Sequence, residues 1–414
     1  MSHPIVIIGA SHAGITCAEK LRQYGYAGEI VMMDSVQGMP YQRPPLSKTY
    51  LSADAEAEDG FYLRPQSWFD SQNITLMTGT KAASIDTDNS QIHISDGQTI
   101  QYQKLVLATG AVPRKLPDEM QQLDGVALLR TVDDARQIKR CLTDGLNGQI
   151  ISSAVIVGGG YIGLEIAASL KKMQIEVHLV EMSDRVLARV ASPPLSAYCQ
   201  QLHQGHGVRL NIAEGLKAIN AANGQVDSVS LTSGQIIEAQ LVIVGIGVVP
   251  DTVLAEDAGL NVDNGILVSQ EYVTSHPDIY AIGDVARAPE HAPVRVESVH
   301  HAQFSATIAA AHICEAQPGR VEAWWFWSDQ YDVKFQLAGL LPSGENSLVH
   351  ITRTGRKENS LSVWSFDDGR LVSVEAANDA QAYMIGKYCL EQQISPDLDS
   401  LADAGFDLKS LMKR

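Results

Sequence analysis

The sequence predicts an α/β protein with two Rossmann-like dinucleotide-binding domains, one inserted in the other, and a small α+β C-terminal domain. Three observations carry this expectation. A glycine fingerprint preceded by a short apolar strand and followed by a helical pattern occurs twice. Apolar strands ending in Gly-rich turns resume after the second fingerprint, as expected if the first domain is re-entered. From about residue 322 the pattern changes to alternating strands and then a short helical end.

Taken in order, Ile5-Val6-Ile7-Ile8 reads as a strand buried on both faces, and Gly9-Ala10-Ser11-His12-Ala13-Gly14 as the turn into a helix. That helix carries Ile15, Ala18 and Leu21 on one face. The next strand ends in Asp34, 20 residues after Gly14. In this context the glycines let the backbone approach a pyrophosphate at a helix N-terminus, and the acid meets ribose hydroxyls. Ser11 stands where the second glycine is expected, and serine is the smallest substitute. An irregular stretch, Ser35 to Phe69, includes an acidic run from Asp54 to Asp59 that reads as a solvated turn. Strand-rich sequence follows at Ile74 to Met77, Gln91 to Ile94 and Ile100 to Leu107, the last leading into Ala108, Thr109 and Gly110. Thr131 is placed to cap a helix. The strand Ala154 to Val157 then leads into the complete fingerprint Gly158-Gly159-Gly160-Tyr161-Ile162-Gly163, with Glu181 closing the following strand 18 residues later. Leu241 to Val244 ends in Gly245-Ile246-Gly247, and Ile279 to Ile282 ends in Gly283-Asp284. The expected division is 1–112 with 246–321 for the first dinucleotide domain, 113–245 for the second, and 322–414 for the C-terminal domain.

Two such sites imply two dinucleotides. The usual pair is a flavin with a nicotinamide, FAD with NADH, and hydride transfer between them. Composition narrows the rest. The chain has 414 residues, too many for one core, and 45% apolar content reads as globular. No apolar run approaches the ~18 residues needed to span a membrane. A net charge of −17 disfavours nucleic acid and anionic membrane as partners. The opening residues carry no leader pattern, which suggests the cytoplasm. Cys17, Cys141, Cys199, Cys314 and Cys389 are scattered, form no C-x-x-C or C-x4-C pair and show no zinc spacing, so no metal site is expected.

The blocks Tyr41-Gln42-Arg43-Pro44-Pro45-Leu46-Ser47-Lys48, Arg295-Val296-Glu297-Ser298-Val299 and Trp325-Phe326-Trp327-Ser328-Asp329-Gln330-Tyr331 are more specific than the glycine turns. Together with those turns they resemble the FAD-dependent NADH:ferredoxin reductases of the glutathione-reductase superfamily, which serve bacterial cytochrome P450s and ring-hydroxylating dioxygenases. The resemblance covers essentially the whole chain. It implies that Gly9, Ser11, His12, Ala13 and Gly14 cradle FAD, with Asp34 or Ser35 on its adenosine ribose. Arg43, Ala82, Ala108, Thr109, Gly110, Arg130, Gly283, Asp284, Val299 and Trp327 would be further FAD contacts. Pro45 would sit close to the flavin ring, and Lys48 near its N5, where a cation stabilises charge on reduced flavin. Gly158, Gly160, Tyr161, Ile162 and Gly163 would hold NAD, Glu181 its adenosine ribose, and Glu165 and Gly247 its nicotinamide end. Lys48, Pro45 and Glu165 are the expected catalytic residues.

The implied activity is reduction of FAD by NADH and delivery of single electrons to a small acidic [2Fe-2S] ferredoxin, ahead of a rubredoxin, feeding a cytochrome P450 or Rieske-type oxygenase. Arg64, Arg287 and Lys334 are candidates for a cationic rim that receives the carrier. Alternatives are an NADH oxidase and a scaffold flavoprotein of apoptosis-inducing-factor type; the acidic balance and the lack of basic runs argue against the scaffold.

Overall fold

The computed structural model describes residues 3–52, 58–319, 322–342 and 348–413. Residues 54–57 of the acidic run lie outside the described residues. The chain forms two compact units, one made of Met1–Gln42, Glu56–Val112 and Val248–Glu322, the other of Arg43–Ala55, Pro113–Gly247 and Ala323–Arg414.

The first unit is built on a five-stranded parallel sheet. Its order is Ile279–Ala281, Lys104–Leu107, Ile5–Ile8, Ile30–Asp34, Ile74–Thr78. The central strands are almost pure Ile, Val, Leu and Met and are buried, as a sheet covered on both faces requires. The helix His12–Gln23 buries Ile15, Ala18 and Leu21 and packs along the helix Val299–Ile313. A smaller antiparallel sheet is formed by Ala82–Asp86, Gln91–Ile94 and Thr99–Gln101. The run Ile100 to Leu107 is therefore not one strand. It ends one sheet at Gln101 and enters another at Lys104, pivoting on buried Tyr102 and on the Gln103 N–H, which donates to the Pro4 carbonyl at 2.8 Å. With no Gly, Pro or Asn between the two strands, the segment carries no turn signal at the change of sheet.

The second unit repeats the parallel plan, in the order Arg209–Ile212, Glu176–Glu181, Ser153–Val157, Leu241–Val244, Val126–Leu128. Thr131 caps the helix Val132–Asp144 in a reciprocal capping box with Asp134. The C-terminal part is a five-stranded antiparallel sheet, ordered Trp325–Gln330, Val333–Gly339, Arg370–Ala377, Leu361–Asp367, Val349–Thr354. The helix Ala380–Glu391 covers it and shares a core with Trp364, Phe366, Val374 and Leu401. Gly386 lets that helix come close, since a Cβ there would strike Val374 at 2.6 Å.

Among the described residues no helix is long and apolar enough to cross a membrane, and no cluster of His, Cys, Asp and Glu could hold a metal. All five cysteines are free.

Candidate active site

The two glycine turns are built alike, each at the carboxyl end of its central strand. The Gly9 N–H donates to the Met33 carbonyl at 2.7 Å, and the Gly158 N–H to the Val180 carbonyl at 2.8 Å. Both glycines take a left-handed backbone, φ 110° and 111°. A Cβ on either would run into the carbonyl of the neighbouring strand, Ala108 or Gly245. Gly14 and Gly163 lie in the first turns of the two helices, where a Cβ would strike the carbonyl of Gly9 or Gly158. The acids match as well. Asp34 Oδ2 accepts the Ala10 N–H and Oδ1 the Val36 N–H, both at 2.8 Å. Glu181 Oε2 accepts the Gly159 N–H at 2.6 Å and Oε1 the Ser183 N–H at 2.7 Å. A carboxylate has about four acceptor positions, so each keeps capacity for a further donor.

These turns fit a dinucleotide. Ser11 and Gly160 are the N-cap residues of the helices, extended and without a side-chain cap, and neither helix has an acid in its first turn. Each free helix end is therefore suited to an anion. A Cβ at Gly160 would meet nothing within 4 Å, the open space a phosphate needs. The Tyr161 hydroxyl is buried without a hydrogen-bond partner among the described residues, and burial pushes its ionisation well above the usual range.

In the first unit the structure gathers Gly9, Ser11, His12, Ala13, Gly14, Asp34, Ala108 and Gly283. Gly283, at φ 72°, touches the start of the helix His12–Gln23, since its Cβ would lie 2.9 Å from Ala13 Cβ. Its N–H donates to Ser305 Oγ at 2.9 Å. Asp284 follows, its carbonyl accepting Arg295 Nη1 at 2.6 Å. Thr109 and Gly110 are tied to Asp251, by Thr109 Oγ1 donating to its carbonyl at 2.7 Å and by its N–H donating to the Gly110 carbonyl at 2.9 Å. Ala82 opens the antiparallel sheet, Val299 opens its helix, and Ser35 is exposed beside Asp34. Arg43, Pro45, Lys48, Arg130 and Trp327 belong to the other unit.

In that unit Ile162 is exposed in the first turn after Gly160. Leu187 donates its N–H to the Gly159 carbonyl at 2.9 Å, holding the 182–191 loop on the turn. Arg185 uses Nη1 and Nη2 on the carbonyls of Ala191 and Ala188. Arg189 lies by Gly247, with Nη2 3.2 Å from where a Cβ would be.

The centre of this unit is Glu165, in the second turn of the helix Tyr161–Lys172 and only 4% exposed. Its Oε1 is 2.8 Å from Lys48 Nζ and accepts Ser328 Oγ at 2.6 Å; its Oε2 accepts Ser47 Oγ at 2.5 Å. The 3₁₀ turn Pro44–Ser47 positions the cation, because the Lys48 N–H donates to the Pro45 carbonyl at 3.0 Å and Nζ reaches the Pro44 carbonyl at 3.3 Å. Ser169 Oγ donates to the Ser47 carbonyl at 3.0 Å and fixes that turn on the helix. Trp325 and Trp327 lie 5.5 Å apart on the strand that carries Ser328, and Phe326 meets Tyr161 at 4.7 Å. Sequence reasoning missed Ser47, Ser169 and Ser328. Ser47 and Ser328 sit inside the quoted blocks, each a small polar residue between an apolar or aromatic residue and a charged one, and that was the available signal.

Elsewhere, His301 is buried and pushed down to about 4, bridging the Tyr272 hydroxyl and the Val296 carbonyl. Of the proposed rim cations, Arg64 is bound to Glu19 at 2.8 Å and lies over Trp68, Arg287 donates to the Pro293 carbonyl, and Lys334 is exposed.

Residues 3–306 match the family described as pyridine nucleotide-disulphide oxidoreductase, and residues 325–412 match the reductase C-terminal domain. The chain belongs to this oxidoreductase family. Like other members, it is an enzyme that uses FAD and a nicotinamide dinucleotide. The oxidoreductase is similar to rhodocoxin reductase of Rhodococcus erythropolis, 39% identical over 413 residues that cover 99% of this chain and 94% of that protein. It is also similar to rubredoxin-NAD(+) reductase of Pseudomonas putida, 37% identical over 90% of this chain and 95% of that one. Among solved structures it resembles putidaredoxin reductase in a covalent complex with putidaredoxin (TM-score 0.92, 34% identity, 99% of this chain and 98% of that chain). A ferredoxin reductase from Rhodopseudomonas palustris matches at TM-score 0.92 and 36% identity, covering 99% of both chains.

Proposed function

We propose that this oxidoreductase is an FAD-dependent NADH:ferredoxin reductase that supplies a [2Fe-2S] ferredoxin serving a cytochrome P450 or Rieske-type oxygenase. The observation that carries the choice of acceptor is the state of the cysteines. A disulfide acceptor needs a reactive dithiol. Here all five thiols are free, none is in a paired motif, and burial pushes Cys17 up to about 12 and Cys389 up to about 11. Electrons therefore leave for a carrier protein. The solved relatives that work with putidaredoxin and ferredoxin support the same carrier class.

When bound, FAD would supply the chemistry that accepts a hydride from NADH and releases electrons one at a time. The chain's part is to bind and orient. Residues 1–112 and 246–321 would form the FAD domain, with Gly9, Ser11, His12, Ala13 and Gly14 on the pyrophosphate, Asp34 or Ser35 on the ribose, and Asp284 on the ribitol. Residues 113–245 would hold NADH through Gly158, Gly160, Tyr161, Ile162 and Gly163, with Glu181 on its ribose and Gly247 toward the nicotinamide; residues 322–414 form the C-terminal domain. Lys48 would place its ammonium by the flavin ring beside Pro45, and Glu165 would fix that ammonium while bordering the nicotinamide. Unpaired thiols suit the cytoplasm.

The test is cytochrome c reduction by NADH with a [2Fe-2S] ferredoxin, with a rubredoxin and with no carrier. Turnover that requires the ferredoxin is expected. Equal NADH oxidation by oxygen alone would overturn the reading in favour of an oxidase. The 37% identity to a rubredoxin reductase supports rubredoxin as the second carrier, and a higher rate with rubredoxin would select it.

A further inference from the structure

The Glu165 carboxylate is the inner end of a longer chain of hydrogen bonds. Ser328 Oγ, which donates to Oε1, lies 3.2 Å from Gln330 Nε2. Gln330 Oε1 is 3.0 Å from His203 Nε2, and His203 Nδ1 is 3.2 Å from the Tyr331 hydroxyl. Ser328, Gln330 and His203 are at most 1% exposed, so water does not compete for these bonds. Ser328 and Gln330 share one face of their strand, and His203 comes from the last turn of the helix Pro193–Gly205.

The carboxylate sets the direction of every proton in the chain. Paired with Lys48, it can only accept, so the single Ser328 proton points at it. Ser328 Oγ must then accept, and the Gln330 amide turns its NH₂ inward and its carbonyl outward. His203 must offer that carbonyl an N–H, so its proton is on Nε2 and Nδ1 is bare. The Tyr331 hydroxyl then donates to Nδ1. Burial supports a neutral ring, holding His203 down to about 4. The outer end is also fixed. His206 stacks on the Tyr331 ring at 3.6 Å and 11°, and Tyr331 takes φ 56°, a backbone that bulky residues rarely adopt.

We propose that Ser328, Gln330, His203 and Tyr331 form a one-way hydrogen-bond chain that holds Glu165 as an oriented anion against Lys48, which makes His203 a positioning residue for hydride transfer. The inference rests on the reading of Lys48 and Glu165 as the working pair. A merely structural filler would not need it. Four aligned polar groups are costly to bury, and apolar side chains would fill the same space. Their shared polarity is useful where a charge waits at the end, because each link polarises the next.

The test uses FAD-loaded protein and the variants Ser328→Ala, His203→Phe and Tyr331→Phe, each alone and with Glu165→Gln. Nitrogen-15 NMR of labelled histidine should find His203 neutral with its proton on Nε2. Losing a hydrogen bond to a charged group should lower kcat for NADH-to-ferricyanide turnover by about tenfold in Ser328→Ala. His203→Phe and Tyr331→Phe should lower it progressively less, with KM for NADH and FAD content unchanged. With Glu165→Gln present, the same changes should have little further effect. His203 protonated on Nδ1, or effects that persist in full beside Glu165→Gln, would overturn the chain while leaving the pair intact. Wild-type kcat in Glu165→Gln alone would instead remove the pair's role, and the proposal with it. Ser328→Ala and Tyr331→Phe each delete one hydroxyl, so the test stands if His203→Phe does not fold.

Discussion

Replacing Lys48 with Met strands the Glu165 carboxylate. In the wild type the charges lie 2.8 Å apart, with side chains 16% and 5% exposed. Methionine keeps most of the stem and removes the ammonium. Breaking a buried pair from one side costs about 3–5 kcal/mol, because the remaining charge stays in a poor solvent. Glu165 still has the hydroxyls of Ser47 and Ser328. Those donors put the expected loss at the low end, about 3 kcal/mol. For a domain of this size that corresponds to a fall in Tm of roughly 6–12 °C. Glu165→Gln should be milder, about 1–2 kcal/mol, since the ammonium it leaves behind is partly solvated and amide contacts replace charged ones. The double variant should recover about 2 kcal/mol relative to Lys48→Met, because a neutral amide needs no counter-ion. Urea denaturation of FAD-loaded protein, followed by far-ultraviolet circular dichroism, measures all four corners. NADH-to-ferricyanide turnover should fall in every variant. If Lys48→Met is as stable as the wild type, or the two single losses simply add, the carboxylate is solvated and the argument from a buried pair fails.

Other expectations follow from the same geometry. Gly9→Ala places a Cβ on the Ala108 carbonyl and should abolish FAD loading, whereas Gly158→Ala should retain FAD and raise KM for NADH; equal flavin loss in both would break the assignment of the two turns. Replacing all five cysteines with Ser or Ala should leave NADH-to-ferredoxin turnover largely intact in folded, FAD-loaded protein, and loss of that turnover would refute a thiol-free route. His203 and His301 are each depressed from 6.5 to about 4, so both fold neutral and the unfolded chain binds protons first. Their stabilisation is present above pH ~6.5 and is lost as pH falls to ~4, about 3 kcal/mol for each. Denaturation midpoints across that window should fall steeply, and a slope unchanged in His203→Phe would exclude its contribution.

The parts of the site legible in the sequence are local. A glycine turn, its strand and its acid fall within about thirty residues, and the backbone geometry they need restricts which residues can stand there. The Glu165 environment is not local. Ser47 lies 118 residues from it in sequence and Ser328 163, while His203 and Gln330 are 127 apart. Such contacts are set by topology, and no periodicity in one segment announces them. The same holds for charge. Arg64, a candidate docking cation from its own segment, also pairs with Glu19, 45 residues away. The split of Ile100 to Leu107 was hidden for the opposite reason, because two strands of different sheets meet across Tyr102 and Gln103 with no Gly, Pro, Asn or Asp to mark a turn.

The Asp34 and Glu181 carboxylates brace their turns before any ligand arrives, and this decides how coenzyme choice must be measured. Glu181 already satisfies the Gly159 and Ser183 N–H groups, as Asp34 satisfies those of Ala10 and Val36. Glu181→Ala therefore leaves N–H groups in the turn without their acceptor, and part of any loss is turn geometry, which affects both coenzymes. Selectivity arises only from the difference between a ribose hydroxyl and a 2′-phosphate beside the carboxylate. Arg185 could have masked that difference, but its guanidinium is engaged by the Ala188 and Ala191 carbonyls. The like-charge contact should therefore favour NADH by at least a factor of ~10, or ~1.4 kcal/mol. The quantity to compare is the ratio of kcat/KM for NADH and NADPH, in which the turn's contribution cancels. Glu181→Ala should lower both values and shrink the ratio, mainly through KM for NADH. A ratio near one in the unmodified protein would show that Glu181 only braces the turn.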